Sequence, residues 1–196
     1  MRVLLVLLLI LAASPGARCE ETFRDPELEQ FVYQAVREGL GQLRPPASTL
    51  DLVLAVDPQS GLPYSFLPSC PICQSARRAL TDYRQALAAP DAAGEARTGA
   101  ADEAPAPEAQ ALADPDPLAR TSALGRLIVR WVARAAARQG WTPQELARWA
   151  QRFERAAEVG RAQLSRYQRE GVEAYKMMWQ CLLCQGAVQA VRGAGN

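Results

Sequence analysis

Met177-Met178-Trp179-Gln180-Cys181-Leu182-Leu183-Cys184 decides how the rest of the chain is read. Its counterpart, Ser69-Cys70-Pro71-Ile72-Cys73, lies more than a hundred residues earlier. Each is a C-x-x-C pair. Residues three apart on a helix share a face, so each pair points two sulfurs in one direction. The apolar positions continue both lines. After the first pair come Ala76, Leu80, Tyr83 and Leu87 at alternating steps of three and four, a coiled-coil-like seam. Through the second run Ala174, Met177, Cys181, Cys184, Val188 and Val191, while Tyr175, Met178, Trp179 and Leu182 form another apolar face. A helix apolar on two sides belongs at the centre of its bundle, so a helix over about 172–191 is expected to organise the fold. In an antiparallel register Cys73 faces Cys181 and Cys70 faces Cys184.

The remaining helices have clear punctuation. Asp25-Pro26-Glu27 is a helix start, with an N-cap acid and proline at the first position. Leu28, Phe31, Val32, Ala35, Val36 and Leu40 follow at helical spacing, and Gly39, Gly41 and Pro45-Pro46 are expected to end that helix. Asp116-Pro117 opens another, with Leu124, Leu127, Ile128, Trp131, Val132 and Ala135 inward and Gly140 as its stop. Thr142-Pro143-Gln144-Glu145 is a capping box that starts the next helix at once, with Leu146, Trp149, Ala150, Phe153, Ala157, Leu164 and Tyr167 as its buried stripe. A connection this short predicts that these two helices are antiparallel neighbours. Gly171 is expected to kink or divide the chain before the cysteine helix.

Between 50 and 67 the pattern is two-sided. Leu50, Leu52, Leu54 and Val56 alternate with Asp51, Val53 and Ala55, Asp57-Pro58-Gln59-Ser60-Gly61 is a turn, and Leu62 to Leu67 returns. This favours a short β-hairpin; the alternative is a short helix capped by Ser48 with Asp51. From 89 to 117 the composition shifts to alanine, proline, glycine and acids, with seven acids, one arginine and Leu112 as the one large apolar residue. Such a segment buries too little to offset its ordering entropy and is expected to be a disordered linker. The expected class is therefore mainly α: a bundle of about five helices with a short hairpin and an acidic Ala/Pro linker. The divisions are 1–19 signal peptide, 20–88 an N-terminal helical segment with CPIC, 89–117 the linker and 118–196 a C-terminal helical segment with CLLC, with 20–88 and 118–196 forming one composite domain.

The signal-peptide reading rests on Met1-Arg2, an apolar run from Val3 to Ala13, and small residues at Ala17 and Cys19 that place the cut before Glu20. That run is shorter than the roughly 20 apolar residues that cross a bilayer. No later segment is apolar enough to do so, and Arg18 argues against a lipid anchor on Cys19. The expected location is periplasmic or extracellular. Of the five cysteines, four then remain, an even number in an oxidising compartment.

Two absences exclude whole classes of chemistry. The chain has no histidine, hence no Ser-His-Asp or Cys-His catalysis, no H-E-x-x-H zinc site and no C-x-x-C-H haem attachment. The sole asparagine is Asn196, so no N-glycosylation sequon exists. Residues 118–196 carry thirteen basic and five acidic side chains, with Arg126, Arg130, Arg134 and Arg138 four apart and Arg148, Arg152, Arg155, Arg166 and Arg169 continuing the series. These suit contact with an anionic surface; as a plain alternative, they form the solvated face of amphipathic helices. No aromatics interleave with them, which argues against nucleic acid.

Three chemistries fit four converging thiols, Cys70, Cys73, Cys181 and Cys184. The first is a double disulfide staple between distant helices, which would make this a structural or protein-interacting molecule with a protein partner and no catalytic residue. The second is metal binding by all four cysteines, as a site for zinc or an iron–sulfur cluster, although Gln74 and Gln185 stand where zinc knuckles often have glycine. The third is thiol–disulfide oxidoreductase catalysis by Cys70 and Cys73. The stretch ending in Cys70-Pro71-Ile72-Cys73 resembles the active-site corner of the thioredoxin superfamily over about thirty residues, with a thiol at a helix start and an apolar strand upstream. The rest of that fold has no counterpart in the chain, and thirteen positions from Asp57 to Cys70 are long for the corner.

Overall fold

The computed structural model describes residues 23–89, 107–172 and 182–193. Among them are seven helices and no sheet: α1 Pro26–Leu43, α2 Ala47–Val53, α3 Pro71–Ala88, α4 Pro107–Leu112, α5 Pro117–Arg138, α6 Pro143–Arg169 and α7 Leu182–Gly193. The mainly α class is as expected.

Capping chemistry sets most of the boundaries. Asp25 accepts a hydrogen bond from the Leu28 N–H at 3.1 Å and starts α1 ahead of Pro26. The helix does not stop at its glycines. It runs through Gly39 and Gly41 to Leu43, and Arg44 closes it in the left-handed conformation with φ 48°. Gly39 is retained for packing. A Cβ built there would lie 2.1 Å from Cδ2 of Trp131, so the glycine is a notch in α1 that seats the indole of α5.

The hairpin expected over 50–67 is replaced by α2, which puts Thr49, Leu50 and Val53 on one buried face and leaves Leu52 exposed. Pro46 occupies the N-cap, without a side-chain cap from Ser48 or Asp51. Helical spacing wins because one side of this segment rests on α3. The turn itself survives. Asp57 accepts from the Ser60 N–H and hydroxyl, Gly61 takes φ +68°, and Val56 and Pro63 form an isolated antiparallel bridge.

The acidic linker is shorter than expected at its C-terminal end. Residues 90–106 lie outside the described set, but Pro107–Leu112 is helical and Leu112 is fully buried against the start of α5. One leucine supplies enough apolar contact to anchor the turn, and Arg120, 5% exposed, holds the α4–α5 connection by donating to the Asp114 and Pro115 carbonyls.

The capping box at Thr142 forms as expected: the Glu145 N–H donates to Thr142 Oγ1, and the Thr142 N–H and hydroxyl donate to the Glu145 carboxylate. The Thr142 backbone bond, then its hydroxyl, hold the Glu145 carboxyl below its ordinary value. A depressed carboxyl stabilises the fold above its unfolded pKa, and that contribution is lost as pH falls through the folded pKa. Thr142→Ala is expected to cost about 1 kcal/mol at neutral pH. Its deficit against the parent should shrink as Glu145 protonates, as denaturant melts across the acid range would show.

Antiparallel packing of α5 on α6 is not what forms. Among the described residues these two helices make no substantial contact; α7 lies between them and packs extensively on both. Leu183, Cys184, Ala187, Val188 and Val191 are its buried residues, and Gly186 admits Val129 of α5, whose Cγ2 lies 2.5 Å from where a Cβ would stand. On the other side of α5, α1 packs on α3 and receives Trp131. Phe31, Trp141, Trp149 and Phe153 close that end, with the two indoles stacked at 4.9 Å. Gly171, at φ +74°, breaks the chain direction after α6. The rest of the expected 172–191 helix, residues 173–181, lies outside the described set.

Candidate functional site

Cys70 is the N-cap of α3, Pro71 opens the helix, and Cys73 sits one turn in on the buried side. Two interactions fix this corner. Gln74 reaches back to donate to the Leu67 carbonyl at 3.1 Å. Gln163 of α6 clasps Ser69, accepting from its N–H and donating to its hydroxyl, both at 2.8 Å. The amide is 9% exposed, and both ends of it are satisfied. It therefore sets the height of the Cys70 corner on α6.

Above that clasp the sulfurs converge. The Cys70 and Cys184 Sγ atoms are 2.9 Å apart, across 114 positions of sequence. Cys73 joins them, and all three sulfurs lie within 4.8 Å of one another. Exposure is 0% for Cys70, 1% for Cys73 and 0% for Cys184. The Cys70 thiol also faces the Ala156 carbonyl of α6 at 3.9 Å. Room for the cluster comes from Gly160: a Cβ there would lie 3.3 Å from the Cys184 sulfur and 3.4 Å from that of Cys70. Three helices thus build the site, with α3 and α7 supplying thiols and α6 a flat floor of small residues.

The antiparallel register sets Cys70 opposite Cys184, and their sulfurs lie 2.9 Å apart. Cys181 lies outside the described residues. The rest of the seam expected along the 172–191 helix falls largely on residues 173–181, outside the described set, and the described α7 packs chiefly on α5 and α6. The thioredoxin-like corner is corrected as well. The chain before Cys70 is helix α2 and a turn, and no strand precedes the motif among the described residues.

Sequence reading does not single out Gly160 and Gln163. Their signal is nevertheless present: both interrupt the apolar stripe of α6, where leucine or alanine is the ordinary choice.

Across the other face, Arg126, Arg130, Arg134 and Arg138 are all exposed along α5. On α6, Arg152 engages Asp25 and Glu27 of α1 and stands over the Trp149 ring at 5.1 Å. Among the described residues no helix is long and apolar enough to cross a membrane. Comparison of the chain with protein-family models, with curated proteins and with solved structures gives no match.

Proposed function

We propose that this is an exported helical protein with a structural or protein-interaction role, held together by a disulfide staple between α3 and α7. The observation that carries the reading is the buried 2.9 Å approach of Cys70 and Cys184. A disulfide bond of about 2.05 Å needs less than about 1 Å of further closure, well within side-chain reach. Cys73 and Cys181 would form the second link. Burial argues against oxidoreductase catalysis, since an attacking thiol must be reachable by its substrate, and all three described thiols are sealed in the core.

A second reading keeps one specific support. Three sulfurs within 4.8 Å of one another, with Cys181 as fourth ligand, suit tetrahedral zinc, whose thiolates sit about 2.3 Å from the metal. An iron–sulfur cluster would draw on the same four residues.

Tryptic mapping without reduction separates the readings. Cleavage leaves Cys70 and Cys73 together on the peptide from Glu38 to Arg77, and Cys181 and Cys184 on that from Met177 to Arg192. The staple predicts that the two peptides travel as one mass and part on reduction, with no free thiol in the intact protein. Two separate peptides, each closed on itself, would sink it and revive redox chemistry. Four thiols that become reactive only on chelation, with stoichiometric metal released, would replace it with the metal site.

A further inference from the structure

Helix α5 carries five arginines and no acid in its 22 residues. Arg120 is spent inside, on the carbonyls before the helix. The other four are exposed and follow one another at every fourth position, a ridge about 18 Å long with steps of about 6 Å. Like charges four apart destabilise a helix, and here three such pairs succeed one another with no acid between them. Arg138 finds Glu38 of α1 at 2.6 Å, whereas Arg126 and Arg134 make no ion pair among the described residues.

Helix α6 shows the contrast. Its arginines are interleaved with Glu145, Glu154 and Glu158, and Arg152 and Arg161 serve ion pairs inside the molecule, as does Glu154 with Arg192. Arg126 and Arg134 thus stand along α5 with no internal counter-charge among the described residues, which a bound polyanion would supply.

We propose that the ridge of Arg126, Arg130, Arg134 and Arg138 is a binding site for a linear sulfated polysaccharide. Guanidinium forks pair with oxyanions through two parallel hydrogen bonds, and a line of them matches a chain of repeating anionic groups. Two other anionic partners fit less well. The one aromatic residue of α5, Trp131, is 5% exposed and seated in the Gly39 notch, so no stacking platform for single-stranded nucleic acid stands beside the arginines. Membrane-surface helices bury bulky apolar residues. Among the described residues the exposed large apolar ones are Leu52, Val56 and Leu118, and Leu118 lies two turns before the ridge begins. Export would bring the protein to such polysaccharides, but the binding does not depend on the export reading or on the state of the cysteines.

The test uses the full chain on immobilised heparin. It compares the parent with R126Q/R130Q/R134Q and with R148Q/R155Q/R169Q, an equal loss of charge from exposed positions of α6. The parent is expected to bind and elute with salt. The ridge variant should weaken about ten-fold and lose about three from the salt slope, through the counterions it no longer releases. The α6 variant should stay within about two-fold of the parent, since phosphate-like contacts are counted only where they are made. Circular dichroism should show the ridge variant as helical as the parent; should it fail to fold, R126K/R130K/R134K keeps the charge, loses the fork, and is expected to bind more weakly than the parent. Absence of parent binding, equal losses in the two glutamine variants, or tighter ridge-dependent binding to duplex DNA or to anionic phospholipid vesicles overturns the proposal.

Discussion

On the staple proposed above, reducing a Cys70–Cys184 bridge is expected to remove about 5 kcal/mol of stability. Such a bridge would close a loop spanning 114 positions, and the chain-entropy model assigns about that much to a loop of this length. The figure is a large share of the roughly 5–15 kcal/mol that holds an ordinary domain folded, so the reduced protein should unfold at far lower denaturant. C70A/C184A isolates the effect. In oxidising buffer it should melt well below the parent; in reducing buffer the two should converge to within the cost of two small cavities. A parent whose midpoint is the same with and without reductant would rule out the staple. Added chelator gives the complementary arm: it should leave the midpoint unchanged if the link is covalent, and collapse it if the sulfurs hold a metal.

Gly39→Ala is the next largest expected loss, and its sign runs against propensity. In a helix interior the exchange ordinarily gains up to about 1 kcal/mol. Here the new methyl would stand 2.1 Å from the Trp131 ring, where carbon atoms settle at about 3.5–4.0 Å. Either the indole leaves its seat or α1 and α5 separate, and overpacking of this kind costs about 1–3 kcal/mol or more. A net loss of about 2 kcal/mol corresponds to a fall of about 4–8 °C in Tm for a chain of this size. Trp131→Leu alone should also destabilise, by opening a cavity. Combined with Gly39→Ala it should cost less than the two separately, because the leucine vacates the space the methyl needs. A stabilised Gly39→Ala would show that the notch is not the reason for the glycine.

How much of the fold is legible in the sequence depends on how local the cause is. The starts at Asp25-Pro26, Asp116-Pro117 and Thr142-Pro143 are legible because a cap is written in three or four adjacent residues. The class follows from the 3.6-residue spacing of the apolar positions. The ends are harder. Gly39 looks like a stop until the residue that fills its notch is known, and Trp131 is more than ninety positions away. At 47–53 two periods compete over seven residues, too few for alternation to outvote a helix that has a neighbour to lean on. Leu112 looks stranded among alanine and acid, yet the face it fills belongs to α5. At the candidate site the thiols are visible as paired motifs, whereas Gly160 and Gln163 matter only because α6 passes beneath them. A floor leaves no periodic mark.

The position of α7 between α5 and α6 also governs when the molecule can become itself. Two long helices joined by a four-residue connection would ordinarily zip together as soon as both were synthesised, a low-contact-order event. Here neither has its principal partner until a segment made some forty residues after Pro143 has arrived. The N-terminal pair α1 and α3 can associate early, and α5 can join them through Trp131. The remaining apolar faces stay open until the last described helix slides in, and its arrival brings Cys184 onto Cys70. The closing contact therefore joins positions 114 apart and waits for the last described helix, which keeps the chain loose through most of its synthesis and fixes it in one late step.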